Sequence, residues 1–221
     1  GYRLTGQRWE EIQNIPQAWD PIDFVANLEK QKATPWLDDM GIASRGLSPE
    51  VVIAIGPAFG TAIHHTIGGI ELKQVLQAMS RGIESMGIPA RIVRIHHTSD
   101  CAFIGHAGAQ LSGSTVAIGI QSKGTTVIHR QDLAPLENLE LFSMAPNLDL
   151  SLYQQIGINA ASYALHKPTI PVAVKIDNTA RLRLIVQTTL LHRKETEMVV
   201  LGKKPTEVQI LRVEENNVLE K

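Results

Sequence analysis

Between residues 51 and 129 the chain alternates short apolar runs with one longer stretch of helical periodicity. VVIAIG (51–56) is continuous and ends in glycine and proline, as expected of a strand covered on both faces. In LKQVLQAMSRGIESMG (72–87), Leu72, Val75, Leu76, Met79, Ile83 and Met86 recur at helical spacing, and Gly87 supplies a C-terminal stop. ARIVRI (90–95), STVAIGI (114–120) and TTVIH (125–129) predict three further strands. Strand, helix and strand of these lengths make a βαβ unit. Farther on, SLYQQIGINAASYALH (151–166) predicts a helix with Leu152, Ile156, Ala160 and Tyr163 on one face. HKPTIPVAV then breaks it with two prolines, and ARLRLIVQTTLLHRK is helical by length but β-rich by residue. MVVLGKKPTEVQILRV reads as two closing strands around a Gly-Lys-Lys-Pro turn.

Before Pro49 the texture differs. Residues 1–21 are polar, with Trp9 and Trp19 as apolar anchors and Pro16 and Pro21 as breaks. RWEEIQNI there has the spacing for two helical turns, Trp9 and Ile12 sharing a side. So few apolar groups do not order a segment by themselves, so this one is expected to lie on something larger. Residues 22–49, rich in charge, Gly, Ser and Pro, read as a linker with one short helix near 22–31.

Composition narrows the function classes more than it selects one. The 43% hydrophobic and 19% charged content of these 221 residues is that of an ordinary globular protein. A formal charge of −1 provides no basic field for nucleic acid or anionic lipid. Cys101 is the single cysteine, so an internal disulfide or a thiolate zinc cluster is excluded, and a reducing, cytoplasmic setting is expected. No stretch approaches the roughly 20 apolar residues of a membrane span.

Few residues invite chemistry. GPAFG after the first strand lacks the Gly-Lys-Ser/Thr end of a phosphate loop and is expected to be a packing turn. IQSKGTTVIH (120–129) sets Lys123 between two strands among Ser122, Gly124, Thr125 and Thr126, at a strand end of the kind where α/β proteins present ligands; a solvated hairpin tip is the alternative. His64-His65 and His96-His97 are adjacent pairs, whose side chains diverge instead of chelating, and are expected to be exposed. In TSD (98–100), Thr98 and Asp100 suit a helix cap or a ligand's amide, capping being the usual reason for that order. No nucleophile–base pair stands out, and no catalytic residue is expected within this segment.

The stretch VVIAIGPAFG … ARIVRIHHTSD … LSGSTVAIGIQSKGTTVIHRQDLAPLENLELFSMAPNLDLSLYQQIGINAASYA closely resembles the medium subunit of adenosylcobalamin-dependent diol and glycerol dehydratases. The likeness runs from about residue 50 to 166 and continues more weakly through LLHRKETEMVV; GIQSKGTTVIH and PLENLELF are its most specific parts. The opening, GYRLTGQRWEEIQNIPQAWDP, resembles the extreme C-terminus of the large, catalytic subunit of the same enzymes. Pattern and resemblance together predict a three-layer α/β/α, Rossmann-like domain with a mixed sheet at 50–221, preceded by a large-subunit tail (1–21) and a linker (22–49), as in a fusion of the two subunits. The linker stands where separate medium subunits carry an extension that in several relatives directs them into a protein-shelled microcompartment, but its composition differs.

The resemblance implies a hydro-lyase that converts propanediol or glycerol to an aldehyde by radical chemistry. Substrate and an activating potassium or calcium ion would lie in the large-subunit barrel. The medium subunit would close over the lower face of adenosylcobalamin, whose own base stays on cobalt; the Asp-x-His-x-x-Gly pattern of base-off proteins is missing from DCAFIGHAG (100–108). Carried over by position, Asp100 and Lys123 match side chains that hydrogen-bond corrin amides, Leu136 a backbone contact, Asn138 a side-chain or backbone contact, and Ser143 the wall of the lower-base pocket. Met144 departs from the glutamine common at its place. Implied partners are the large-subunit portion, a small subunit, a second protomer and a reactivating factor, with no nucleic acid and no membrane. Two alternatives remain at this stage: the small subunit of a dehydratase-reactivating chaperone, and a free nucleotide-binding module.

Overall fold

Two strands of continuous apolar sequence lie side by side because each is covered on both faces, and a third, which carries Arg91 and Arg94, lies next to them. In the computed structural model, which describes residues 27, 34–47, 49–143, 145–175, 177 and 182–211, β2 (Val51–Ile55) is fully buried and flanked by β3 (Ala90–Arg94) and β4 (Val116–Ile120), both parallel to it. Val51, Ile53, Ile55, Ile118 and Ile120 face one core; Val52, Ala54, Val93 and Ala117 face the other. The first core lies under α1 (Leu72–Glu84) and α3 (Leu150–Ala164), the second under α2 (Cys101–Leu111). The result is a three-layer α/β fold.

The sheet has seven strands in the order β1-β7-β3-β2-β4-β5-β6 and is mixed, as expected. β5 (Thr126–Arg130) and β6 (Glu140–Phe142) extend it antiparallel on one side, and β7 (Thr206–Ile210) and β1 (Leu37–Ile42) on the other. The order places a topological switch between β2 and β4: the chain crosses from β2 to β3 on one side, then returns through α2 to β4 on the other.

Several expectations change. Residues 37–42, assigned to the linker, form edge strand β1, joined to β7 through the pairs Leu37–Ile210 and Ile42–Thr206. The two closing strands reduce to one, β7, because helix α4 (Ile185–Glu197) runs on almost to Val199 and Val200, whose amide donates to the His96 carbonyl. Helix α2 is anticipated only at its start, where Asp100 is the N-cap; its length is not. Its Gly105 and Gly108 weaken helical propensity, yet a Cβ there would stand 2.6 Å from Val127 Cγ1 and from Ala54 Cβ respectively, so glycine is what lets the helix lie on the sheet. The tail at 1–21 and nearly all of the short helix near 22–31 lie outside the described residues. Among the described residues, no helix is long and apolar enough to cross a membrane.

Candidate functional site

The loops that follow β2, β3 and β4 gather at one end of the sheet, at the switch point. The loop after β4 is a tight hairpin turn: Gln121 N donates to Thr125 O (3.0 Å) and Gly124 N to Gln121 O (2.9 Å), with Gly124 at φ +103°, a conformation that suits a residue without a Cβ. Its carbonyls at Lys123 and Gly124 are tied down as well. Ile67 N donates to the Lys123 carbonyl (2.9 Å), and Tyr153 Oη and Thr126 Oγ1 both donate to the Gly124 carbonyl (3.0 and 2.9 Å). Tyr153 is fully buried on α3, and burial pushes its phenol pKa up, so it stays a donor.

Helix α4 closes this end. Glu195, with 0% exposure, accepts from Ser122 N (2.8 Å) and Ser122 Oγ (2.7 Å) and packs against Gly56 of the loop after β2, where the Ala58 amide favours its ionised form. Its carboxylate thereby joins the loops after β2 and β4. Burial raises the pKa to about 7, against the pull of these donors and of Lys123. One turn earlier His192 Nδ1 lies 3.5 Å from Gln121 Nε2, which donates to the Ser99 carbonyl, and Thr196 Oγ1 is 2.8 Å from Ser99 Oγ.

Against this fixed backbone the Lys123 ammonium stands out, because it has no hydrogen bond or ion pair among the described residues. Burial lowers its pKa, and Cys101, Glu195 and Asp100 oppose that shift. Asp100 is the exposed N-cap of α2: its Oδ1 accepts from Ala102 N (2.9 Å) and Phe103 N (3.1 Å), while its own amide donates to Thr98 Oγ1 (3.1 Å). Oδ2 is left without a partner among the described residues. Capping and a free acceptor oxygen therefore coexist in one residue. Cys101, next to it, is buried with Sγ 3.3 Å from the Thr125 carbonyl, and burial pushes its thiol pKa up, so it is no nucleophile.

The other sequence-derived residues lie along β6 and the loop before it. Ser143 follows Phe142, which pairs with Thr126, so it sits at the same end of the sheet as Lys123 and is exposed. Leu136 (73% exposed) and Asn138 belong to the β5–β6 loop, farther along the outer edge. His129 of β5 fixes that loop, its Nε2 lying 3.3 Å from the Pro135 carbonyl. Asp100, Lys123 and Ser143 therefore share one end, and Leu136 and Asn138 form a separate group.

GPAFG is a packing turn. Carbonyls of Gly56, Pro57 and Phe59 accept from buried Arg94 Nη1 (3.3, 3.5 and 2.7 Å), and Arg94 Nε also pairs with Asp39 Oδ1 of β1 (3.1 Å). The expectation of exposed histidines is corrected for one member of each pair. His64 (7% exposed) and His96 (5%) are buried, since adjacent side chains point opposite ways and one of the two must face inward. His96 Nε2 lies 2.9 Å from Thr206 Oγ1, and burial drives its pKa down to about 4. Among the described residues, no group of three or more His, Cys, Asp or Glu side chains is gathered as metal ligands would be. Glu195 and His192 escaped the sequence reading because they arrive from a helix some 70 positions beyond the turn. Their one sequence signal is the faint likeness in LLHRKETEMVV.

Among solved structures, the chain is similar to a glycerol dehydratase reactivase (17% identity, 56% of this chain and 95% of that one, TM-score 0.44). It is also similar to a diol dehydratase-reactivating factor complexed with ADP and Mg2+ (22% identity, 55% and 96%, TM-score 0.42). The profile of the dehydratase medium subunit matches residues 56–169, from the glycine turn under Glu195 through the Lys123 hairpin to the end of α3. That span is just over half of the sequence, and with it the chain belongs to the dehydratase medium-subunit family.

Proposed function

We propose that this chain is the medium-subunit part of an adenosylcobalamin-dependent diol or glycerol dehydratase, and that the switch-point end of its sheet contacts the lower face of the coenzyme. The observation that carries the reading is the Lys123 ammonium: half-buried, unpartnered among the described residues, and mounted on a turn whose backbone is held from four directions. An ammonium kept partly from water without an acceptor calls for one from outside the chain. The residues around it fit a corrin edge. Its amide side chains offer both N–H and C=O, which Asp100 Oδ2 and Lys123 Nζ complement, and charge-assisted hydrogen bonds of this kind contribute about 1.5–3 kcal/mol each. Ser143 stands at the same end; Leu136 and Asn138, on the loop that leaves β5 at its other end, form a second group of exposed contacts.

In this reading the coenzyme supplies the radical chemistry that removes water from a diol, and the chain restrains and shields it without making or breaking bonds. Substrate, its metal ion and the catalytic groups belong to a large subunit. A small subunit, a second protomer and a reactivating factor complete the partners, and residues 1–21 are the end of a large subunit fused ahead of this domain. Fusion would keep two partners of one coenzyme site at high local concentration.

Equilibrium titration of the complete complex with adenosylcobalamin tests this. Lys123→Ala should weaken coenzyme binding about 10–100-fold, the equivalent of one charge-assisted hydrogen bond. Unchanged affinity, or ATP-dependent release of cobalamin in place of diol turnover, would favour a reactivating chaperone.

A further inference from the structure

We infer that Glu195 is a positioning residue: its ionised carboxylate clasps the loops after β2 and β4 and so sets the height and direction at which Lys123 is presented. The inference rests on the reading of the Lys123 turn as a coenzyme contact. The geometry is specific. A single carboxylate, wholly out of solvent, takes the Ser122 amide at 2.8 Å and the Ser122 hydroxyl at 2.7 Å, and the Ala58 amide of the loop after β2 favours its ionised form. It also lies so close to Gly56 that a Cβ there would stand 2.0 Å from Oε1. Lys123 directly follows Ser122, so any shift of Ser122 moves the ammonium. The same helix touches the turn again through His192 and Gln121, which makes α4 the element that aligns the switch-point loops.

The Ser122 amide can only donate, whereas the Ser122 hydroxyl can donate or accept, and that gives the clasp a polarity. Ionised, the carboxylate accepts from both; once protonated, it keeps the Ser122 hydroxyl only by turning it into an acceptor and loses the charge assistance of both hydrogen bonds, so the clasp loosens. The charged and titratable groups around it are Lys123 of the turn, Cys101 at the start of α2, Arg94 on the far side of the 56–59 loop and His192 on its own helix. Cys101 stays neutral, and burial lowers the pKa of His192 while it raises that of Glu195 to about 7, so Glu195 takes up its proton before His192 as pH falls. Grip on the coenzyme is thus coupled to pH through a residue that never touches it.

The test uses the complete dehydratase complex and two readouts. Equilibrium affinity for adenosylcobalamin is measured from pH 5.5 to 8.5 in the unaltered protein, Glu195→Gln and Ser122→Ala, with Lys123→Ala as the comparison. The unaltered complex should lose affinity about five- to tenfold as pH falls from 8 to 6. Glu195→Gln, whose neutral amide keeps one acceptor oxygen for the Ser122 amide but loses the charge assistance of both bonds, should be about tenfold weaker at pH 8 and flat across the range. Ser122→Ala, which removes one donor and leaves the carboxylate, should lie between them. The second readout needs no coenzyme: acetylation of the Lys123 amine in the coenzyme-free complex, followed by mass spectrometry against exposed Lys203, should change at least about threefold in Glu195→Gln. If acetylation responds while neither Lys123→Ala nor Glu195→Gln alters coenzyme binding, the clasp stands and the coenzyme reading falls. If Lys123→Ala weakens binding but Glu195→Gln changes neither binding nor acetylation, the clasp is refuted.

Discussion

Replacing Gly56 by alanine isolates the contact between the first strand-end loop and the helix that covers it. On backbone grounds the change should help: Gly→Ala reduces the freedom of the unfolded chain and stabilises by about 0.4–1 kcal/mol where the new residue fits. Here it does not fit. The added Cβ would stand 2.0 Å from Glu195 Oε1 and 2.8 Å from its Cδ, and that side chain has no slack, being held by the Ser122 amide and hydroxyl in a fully buried position. To reach ordinary van der Waals contact the carboxylate must retreat by more than an ångström, which breaks hydrogen bonds to a charged acceptor worth about 1.5–3 kcal/mol each. The net expectation is a loss of about 2–4 kcal/mol once the backbone gain is subtracted. Urea unfolding of Gly56→Ala, Glu195→Ala and the double variant forms a cycle that separates this contact from any general effect of the methyl group. Gly56→Ala should cost far less when Glu195 is already truncated, giving a coupling above about 1 kcal/mol. Strict additivity, or a stabilised single variant, would refute the reasoning.

Three further outcomes follow from the same packing and electrostatics. Gly157→Ala should destabilise by about 1–3 kcal/mol in denaturant unfolding although alanine is the better helix former by about 1 kcal/mol, because the new Cβ would lie 2.2 Å from the Met79 carbonyl of α1 and force α1 and α3 apart. His96, held neutral by burial with its pKa lowered from 6.5 to about 4, binds fewer protons folded than unfolded between those values, so its share of stability is lost as pH falls through that window. The loss approaches roughly 3 kcal/mol at 1.36 kcal/mol per unit, and His96→Gln should show a shallower fall in urea midpoint from pH 7 to 4.5 than the unaltered protein. Asp100→Asn should keep the cap of α2 and hence stability to within about 0.5 kcal/mol, while Asp100→Ala costs about 1 kcal/mol; both should weaken coenzyme binding, since only the carboxylate offers Oδ2 as an acceptor.

The parts of the fold legible in the sequence are those whose neighbours impose a uniform environment. β2 and β4 are apolar at every position because both faces are covered, and α1 keeps one apolar stripe because it lies on a single flat core. β1 was hidden for the opposite reason: at the sheet's edge, LDDMGI is exposed at nearly every position, and what makes it a strand is hydrogen bonding to β7, some 170 residues away. α2 was obscured by the glycines that its close approach to β4 and β5 requires. At the site, the Lys123 turn could be read from its Ser, Gly and Thr surroundings, and Asp100 from its place after a strand. Glu195 could not, since nothing local separates a buried glutamate on α4 from the solvated glutamate two positions later; only its partners on the Ser122 and Ala58 loops do.

The central claim is that Lys123 is presented, on a fixed turn, to a coenzyme held against this end of the sheet. A structure of the complete complex with adenosylcobalamin bound tests it most directly. The account predicts Lys123 Nζ and Asp100 Oδ2 each within about 2.7–3.2 Å of polar atoms of the coenzyme, with the turn backbone unmoved. A coenzyme seated elsewhere, with both side chains facing solvent or another subunit, would contradict it.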